Sequence, residues 1–550
     1  PLRKVHLYAS GVQNNLSTSS VTYIYIFAGI AFLILLIANI NFINMAVAQS
    51  VVRTKEIGMR KILGAARGQL IIQFLGESLM VTFAGFILAF IIALFALPLL
   101  NQLTGKQLSW QLLFRTSNLL LFVATFLVSG ILAGLYPAFF ISRFRTAISL
   151  KGKSGEKGQR NTARKVLLVA QFAICTALIV GSIVVYQQLQ FMRNKPLGFQ
   201  KSQMIIVPIF GSNASVISNG VDVSIRQRMN SFSNELMNNS RIKFVTAVSA
   251  LPGQNIVNGL VIPQGFTDNS NVFVPWISVD YNFLQTFHIP LVAGRSFSKA
   301  TGTDHLSAFI INESAMHAFN WKDPQDAIGK NITRGEAATG KKGQIIGVIK
   351  DFNLTTLDQP FQPLVLDVNA PRFTEFAINV QPDHLPTTIS LIEKTWNKFF
   401  PGRVFEYNFL DKELDRLYTD KERLSRLIGY FAVIAIALSC MGLFSVATFL
   451  SILRAREIGI RKVLGATVSS ILVLLSREFL ALILVSFVIA IPLSWWAMNE
   501  WLQGFAFRIH ISWLVFAATG LFVFLMAVLT MSFQSIRAAT VNPVRTLRSE

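Results

Sequence analysis

Seven stretches of this chain are long and apolar enough to cross a lipid bilayer, which takes about 20 residues. The first and the last of them contain no charged residue. Backbone N–H and C=O groups in a bilayer must be satisfied within the segment itself, and an α-helix achieves this. The sequence therefore predicts a polytopic α-helical membrane protein with seven spans, at 21–47, 71–97, 118–141, 166–190, 427–450, 470–493 and 513–536.

The positive charge of the chain is unevenly distributed. The net charge is +22, yet residues 193–426 hold 24 Lys and Arg against 21 Asp and Glu. The remaining positive charge lies in the connections between spans, as is typical of loops on the cytoplasmic side of a membrane. This pattern predicts contact with membrane lipid and argues against a nucleic-acid partner.

The Lys and Arg residues also predict an orientation. They are concentrated after the first, third and fifth spans and in the C-terminal tail, which we place in the cytoplasm. The connections 98–117 and 494–512 are poorer in positive charge and fall outside, together with 193–426. The crossings then alternate consistently along the whole chain.

The long outer stretch is predicted to be a soluble domain of mixed α/β structure. β-Branched runs at 202–208, 244–248 and 344–349 predict strands, and 387–400 predicts a helix between them. At its end, residues 411–428 have apolar side chains at helical spacing and lead straight into the fifth span. Two interpretations of this last segment remain open: a stalk that transmits motion, and a capped helix of the domain.

An internal repeat is the most informative motif. Residues 53–66 read RTKEIGMRKILGAA and residues 454–467 read RAREIGIRKVLGAT, with nine of 14 positions identical at an offset of 401. Each copy follows one span and precedes another. The repeated unit is therefore a block of three spans.

The repeat divides the chain into segments. In chain order we assign a remnant of a preceding outer domain, the first three-span block, a basic linker, the span leading to the outer domain, that domain, and the second block, at 1–20, 21–150, 151–165, 166–192, 193–426 and 427–550. By analogy with the second block, the first is expected to follow a further span and outer domain. A naturally shortened chain is the alternative.

The repeated segment is amphipathic when placed on a helix. Glu56, Arg60 and Lys61 alternate with apolar residues, while Gly58 and Gly64 allow a bend or the close approach of another backbone. Such a helix at the inner membrane face fits a lever that another protein pushes. It also fits a basic anchor that fixes topology, although topology alone does not require a duplicated sequence.

As a set, these segments resemble the FtsX-like permease family, which includes the MacB-type ABC transporter permeases. The repeat resembles the loop after the second span of each half in that family. Three stretches of the outer domain, at 279–298, 309–330 and 344–363, resemble the MacB-like periplasmic core domain. The closing NPVRTLRSE resembles the C-terminal end of the family.

The resemblance implies a non-enzymatic permease subunit of an ABC transporter in the bacterial inner membrane, with its large domain in the periplasm. A partner ABC ATPase would hold ATP and Mg²⁺, and this chain no cofactor. The ATPase would drive export or extraction of an antimicrobial, a peptide or a lipoprotein by mechanotransmission, with a periplasmic adaptor or outer-membrane partner left open. The alternative is a non-transporting signalling subunit that regulates a periplasmic partner such as a cell-wall hydrolase. The positions that match the family's ATPase-coupling helices are Glu56, Gly58, Arg60, Lys61, Gly64, Glu457, Gly459, Arg461, Lys462 and Gly465.

Other chemistry is not expected. Residues 335–342 read GEAATGKK, but a phosphate-binding loop requires Ser or Thr where Lys342 stands. The six His are scattered, which predicts no metal site. The spans carry almost no charge, which argues against an ion-coupled transporter. We interpret Asn39, Asn41 and Asn44 as helix–helix hydrogen-bonding groups rather than substrate contacts.

Overall fold

The chain divides into two compact units. The membrane unit comprises Pro1–Gln188, Lys421–Trp501 and His510–Glu550, and the α/β unit comprises Leu189–Asp420 and Leu502–Ile509. The structure is a computed structural model, and it describes residues 21–52, 59–60, 62–63, 65–142, 157–210, 223–254, 256–266, 272–336, 338–355, 357–453, 457–458, 460–461 and 464–540.

Seven helices of the described part are long and apolar enough to cross a membrane. Each of the seven predicted spans lies inside one of them, so the predicted multi-pass helical fold is confirmed. The helices are α1 (Val21–Val52), α2 (Arg67–Thr104), α3 (Thr116–Ser142), α4 (Lys157–Asn194), α5 (Leu410–Leu453), α6 (Val468–Gln503) and α7 (Trp513–Thr540).

Glycines allow the helical hairpin of each block to pack closely. A Cβ added to Gly130 of α3 would lie 2.7 Å from a methyl carbon of Leu79 on α2. In the second block, a Cβ on Gly520 of α7 would lie 2.6 Å from the ring of Phe487 on α6. Small residues let membrane helices approach until their backbones are close, and both hairpins use this.

Helices α4 and α5 lie side by side in the membrane unit. Near one end, the guanidinium carbon of buried Arg164 lies 4.3 Å from the ring centre of Phe449, a cation–π contact. Farther along, Gly429 of α5 faces Ser182 of α4. Helix α5 is continuous from Leu410 to Leu453, so the amphipathic segment 411–428 is not capped before the span begins.

The α/β unit confirms the predicted mixed fold. Its short helices are Val223–Met237, Phe283–Phe287, Asp304–Ser307, Glu313–Ala318, Pro324–Ala327 and Leu385–Phe399. Its strands are β1 (Met204–Pro208), β2 (Ile242–Val248), β3 (Asn258–Pro263), β4 (Val272–Ser278), β5 (Leu291–Gly294), β6 (Ala308–Asn312), β7 (Asn331–Arg334), β8 (Lys341–Ile349), β9 (Val365–Asp367), β10 (Glu375–Val380) and β11 (Asn408–Phe409).

A four-stranded antiparallel sheet has the order β11-β1-β10-β2. The helices Val223–Met237 and Leu385–Phe399 pack against it through an aromatic cluster. The ring of Phe232 lies 4.9 Å from that of Phe376 and 5.7 Å from that of Trp396. Burial of these large apolar side chains stabilises the layer.

The second sheet closes into a barrel. Its strand order is β5-β8-β6-β9-β4-β3-β7, and β7 also pairs with β8. The strands β8, β6, β9, β4, β3 and β7 therefore form a closed ring, while β5 pairs with the far end of β8. One mouth of this barrel is formed by the ends of β4, β7 and β9 and the start of β8.

The loop Leu502–Ile509, between α6 and α7, folds as part of the α/β unit. The Ala506 N–H donates to the Asp358 carbonyl at 3.1 Å, and the Phe507 ring lies 5.2 Å from that of Phe361. The Lys195 ammonium lies 3.5 Å from the centre of the Phe507 ring. An aromatic pair and a cation–π contact thus hold this loop on the α/β unit.

Candidate functional site

The repeated segments form two turns, each followed by a membrane helix. Of the ten predicted coupling positions, the structure describes Arg60, Glu457, Arg461 and Gly465. The remaining six lie outside the described residues, at Glu56, Gly58, Lys61, Gly64, Gly459 and Lys462.

The two turns have the same backbone hydrogen bonds at equivalent positions. In the first, Leu63 N–H donates to Met59 C=O and Ala65 N–H to Arg60 C=O, both at 3.0 Å. In the second, the corresponding bonds are Leu464 to Ile460 at 3.0 Å and Ala466 to Arg461 at 2.9 Å.

Gly465 explains why the helical turn ends there. Its φ of 91° lies in the left-handed region that favours glycine. The bond from Ala466 N–H back to Arg461, across a left-handed glycine, is the Schellman pattern that terminates helices. The repeated Leu-Gly-Ala therefore encodes a stop followed at once by the next helix.

Both turns project an apolar side chain at the same position. Leu63 and Leu464 are each 80% exposed, and they are equivalent at the repeat offset. Met59 and Ile460, one turn earlier, are also exposed. Such paired apolar positions can fit a complementary protein groove or lie in lipid at the membrane face. Sequence reasoning concentrated on the charged and glycine positions and missed these leucines.

The polar contacts of the two turns differ. Arg60 donates to the Gln73 side chain at 2.8 Å, and Gln73 donates to the Glu77 carboxylate at 3.1 Å. In the second turn, Arg461 pairs with Glu457 one helical turn earlier, at 2.9 Å. The residue equivalent to Gln73 is Leu474, so the side-chain relay of the first copy has no counterpart at that position.

Each of the two helices that follow the turns has half of a capping box at its N-terminus. The Gln69 side chain accepts a bond from the Ala66 N–H at 3.0 Å at the start of α2. At the start of α6, the Thr467 hydroxyl accepts from the Ser470 N–H at 3.3 Å. A full capping box has both bonds, and each copy makes the half for which it has the side chain.

A polar seam joins α1, α4 and α5 inside the membrane unit. The Asn41 amide donates to the Leu438 carbonyl at 2.6 Å, and the Gln171 amide reaches the Leu438 and Ser439 carbonyls at 3.3 Å. A Cβ on Gly442 would overlap the Asn41 oxygen and lie 2.5 Å from Gln171 Nε2. The interpretation of Asn41 as a helix–helix hydrogen-bonding group is confirmed. Asn39 donates to the Leu35 carbonyl of its own helix at 3.0 Å and to the Ser129 hydroxyl of α3 at 3.5 Å, so it also joins two helices.

This seam brings equivalent positions of the repeat together. Asn41 and Gly442 are 401 residues apart, which is the offset of the repeat. The Asn41 side chain occupies the position that a Cβ on Gly442 would need. Equivalent positions contact each other where two related halves meet at an approximate two-fold axis. One half supplies an amide and the other the space that it fills.

The string at 335–342 is part of a hairpin between strands of the barrel. Arg334 of β7 pairs with Lys341 of β8 in antiparallel register, and Gly335 has a φ of 98°. A phosphate-binding loop joins a strand to a helix. The expectation that this string is not such a loop is confirmed by its setting. Among the described residues, no group of three or more His, Cys, Asp or Glu could hold a metal ion.

Two carboxyl groups of the α/β unit have raised pKa values. Burial raises the pKa of Glu375 to about 7; the hydrogen bond from Gln254 opposes this, and nearby Glu413 of α5 adds to it. Burial raises the pKa of Asp280 to about 6, opposed by bonds from Thr246, Ala247 and Asn282. Near-neutral titration is therefore expected at both positions.

Comparison with known families gives two matches along the chain. The model of the FtsX-like permease C-terminal domain matches residues 28–145 and 429–543. The model therefore matches the chain twice. Each matched segment contains one copy of the repeated turn and the helices on either side of it.

The chain also matches parts of curated proteins. It is 31% identical over 141 residues to the macrolide export ATP-binding/permease protein MacB of Bdellovibrio bacteriovorus, a match covering 26% of this chain and 21% of the relative. It is 38% identical over 88 residues to the uncharacterized ABC transporter permease YknZ of Bacillus subtilis, covering 16% and 22% respectively. The matched segments thus span about a fifth of these relatives.

Solved structures similar to the chain include the periplasmic region of MacB from Actinobacillus actinomycetemcomitans. That match has a TM-score of 0.27 and 13% identity, and it covers 39% of this chain and 92% of the other. The extracellular domain of the transporter YknZ matches with a TM-score of 0.27 and 12% identity, covering 37% and 98%.

Proposed function

We propose that this chain is the permease subunit of an ABC transporter and that its two repeated turns receive the movement of a partner ATPase. The observation that carries the proposal is the pair of turns, which share backbone bonds and equally exposed leucines within two FtsX-like domains. A pair of equivalent docking points suits a partner that is itself a dimer, because a two-fold arrangement presents the same surface twice.

The charge pattern supports the side of the membrane on which the proposal puts the two turns. The basic residues around both turns support a cytoplasmic position, where ATP is available to a partner. In this proposal the partner holds ATP and Mg²⁺, and the chain contributes no catalytic group. The α/β unit then lies on the periplasmic side of a bacterial inner membrane.

Movement at the turns has a covalent route to the α/β unit. Helix α5 ends shortly before the second turn and begins at Leu410 within the α/β unit, without a break. A helix of this length transmits displacement along its axis better than a flexible loop does. We propose mechanotransmission along α5 as the means by which a substrate is exported or extracted, which fits the stalk interpretation of 411–428.

The test replaces the two exposed leucines. The variant Leu63→Asp with Leu464→Asp puts a charge at each apolar contact, so the ATPase should no longer co-purify in stoichiometric amount. The rate of ATP hydrolysis in the complex should fall at least about tenfold, the equivalent of 1.4 kcal/mol. Each single variant should retain part of this rate, because the other turn still docks.

Val404→Asp is the matched control. Val404 is 79% exposed in the α/β unit, so this variant changes an equally exposed apolar residue to the same charge. It should leave the ATPase bound and active. A correctly folded double variant that keeps a stoichiometric ATPase at an unchanged rate would contradict the docking role of the turns.

A further inference from the structure

The mouth of the barrel in the α/β unit concentrates positive charge around one buried carboxylate. Asp367, at the end of β9, is 1% exposed. It accepts bonds from Arg334, from Lys341 at 3.4 Å and from Ser278 at 2.8 Å. Two cations thus share a single carboxylate.

A third cation stands beside them. The guanidinium carbon of Arg372 lies 4.7 Å from the ring centre of Trp276, and that of Arg334 lies 3.8 Å from the same ring. Within the described residues, Arg372 has no carboxylate partner. Burial lowers the pKa of Arg334, the charge of Asp367 opposes this, and the charge of nearby Arg372 lowers the pKa further.

The neighbouring acidic group is already neutralised. Asp304 forms a bidentate pair with Arg295, at 2.7 and 2.8 Å, beside the same end of the barrel. Four cations, Arg295, Arg334, Lys341 and Arg372, stand against the two carboxylates Asp304 and Asp367, which leaves a local formal charge of about +2. Uncompensated charge of this size is costly in a partly buried site unless an anion completes it.

A polar donor at the mouth also lacks a partner. The indole N–H of Trp276 is buried and makes no hydrogen bond in the structure. The indole nitrogen lies against β3, where a Cβ added to Gly259 would be 2.5 Å from it, so the Trp276 ring closes this part of the mouth. Barrel mouths are a common place for small ligands, and the groups here converge on such a mouth.

We propose that this barrel mouth binds a phosphate group, with the Arg372 guanidinium, which lies over the Trp276 ring, as its direct donor. Arg334 and Lys341 supply the attractive field and stay anchored on Asp367. A dianionic phosphate matches the local charge better than a single carboxylate does. The phosphate can come from a small soluble molecule or from a lipid headgroup.

The test titrates inorganic phosphate into the full chain in detergent and measures the heat of binding. Saturable binding with a dissociation constant on the order of 1 mM or tighter is expected, weakening as salt is added. Arg372→Gln should weaken it about tenfold or more, because a charge-assisted bond is lost. Arg372 is exposed at the surface, so the variant should keep the wild-type Tm.

Arg403→Gln is the matched control, since Arg403 also lies over an aromatic ring of the α/β unit, at 5.1 Å from Phe210. It should leave phosphate binding unchanged. A second arm compares vesicles of phosphatidic acid with vesicles of phosphatidylcholine. Preferential binding to phosphatidic acid that is lost in Arg372→Gln identifies a lipid source, and binding of free phosphate alone identifies a soluble one. No saturable binding to the wild type in either arm, or equal binding by Arg372→Gln, would overturn the proposal.

Discussion

The two segments that match the FtsX-like model are alike at one end of their helices and different at the other. Their turns at 59–66 and 460–467 share the same backbone bonds and the same exposed leucine. The loops at the other end do not match. Phe507 packs into the α/β unit, whereas Trp110 of the first loop is 61% exposed and contacts Phe114 at 5.9 Å.

This difference indicates where each copy is constrained. A turn that meets the same partner twice must keep its shape in both copies, because one surface has to fit both. A loop that meets different neighbours is free to diverge. The polar seam between α1, α4 and α5 has also diverged between the copies, since equivalent positions carry Asn41 in one copy and Gly442 in the other.

Gly442→Ala should have the largest effect on the comparison between the copies. The added methyl group overlaps the Asn41 oxygen and crowds Gln171, and overpacking of this kind costs about 1–3 kcal/mol. Thermal unfolding in detergent should show a lower Tm. Gly429→Ala on the same helix is the control, because its Cβ would lie 3.7 Å from the Ser182 oxygen, an ordinary contact. Equal Tm values for the two variants would show that the seam is not tightly packed.

Phe507→Ala tests whether the second outer loop is part of the α/β unit. The substitution removes the contacts with Phe361 and Lys195, and for a half-buried ring we expect a loss of about 2 kcal/mol. Trp110→Ala in the first loop should cost about 0.5 kcal/mol or less, because that side chain is largely exposed. The measurement is the thermal unfolding of both variants, and a larger loss from Trp110→Ala would reverse the comparison.

The buried carboxyl group of Glu375, in β10, should make the stability of the folded protein depend on pH. Its pKa is raised from 4.5 to about 7 in the folded protein, chiefly by burial, with a further contribution from Glu413 of α5. The folded state then binds the proton more tightly than the unfolded state does, so the stabilisation is present at low pH. It is lost progressively as the pH rises from about 4.5 through about 7, and about 1–2 kcal/mol of this loss falls within the pH range around 7.

Glu375→Gln should flatten this dependence. Tm values measured between pH 6 and 8 should fall for the wild type and stay nearly level for the variant, since Gln does not titrate. Asp280 contributes in the same direction at lower pH, with its pKa of about 6, so the difference between wild type and variant isolates Glu375. Parallel Tm curves for the two proteins would contradict the assignment.

Thr467→Ala should have the smallest of these effects. It removes the side-chain bond to the Ser470 N–H at the start of α6, which is worth about 1 kcal/mol. Gln69→Ala removes the half of a capping box at the start of α2. It should cost less, because the backbone hydrogen bonds from Gln69 and Leu70 to the Ala66 carbonyl remain. Amide hydrogen exchange at the two helix starts would measure the difference, and faster exchange in Gln69→Ala would contradict the expected order.

The spans were predictable because an apolar run in lipid has one good conformation. The mixed α/β character of 193–426 and its strands at 202–208 and 344–349 followed equally from local pattern. Barrel closure did not, since β7 pairs with β3 about 70 residues earlier and no local signal encodes that pairing. The docking of Phe507 was missed because an aromatic residue in a loop between spans also fits a membrane interface.

The turns show the same division between local and non-local information. The repeat identified their positions, and Gly465 could be assigned to a helix stop from the sequence Leu-Gly-Ala. Exposure of Leu63 and Leu464 depends on what packs around them, which the sequence does not specify. The contact of Asn41 with Gly442 could have been found by asking which equivalent positions differ most in size.

The inclusion of Leu502–Ile509 in the α/β unit has a consequence for biosynthesis. The ribosome completes residue 420 well before Phe505 and Phe507 are made, and domains generally fold as they emerge. Here the last pieces of the domain arrive only after α5 and α6 have been inserted. A nascent chain that fails at either insertion leaves an apolar patch uncovered on an otherwise folded domain, and a protease can recognise such a patch.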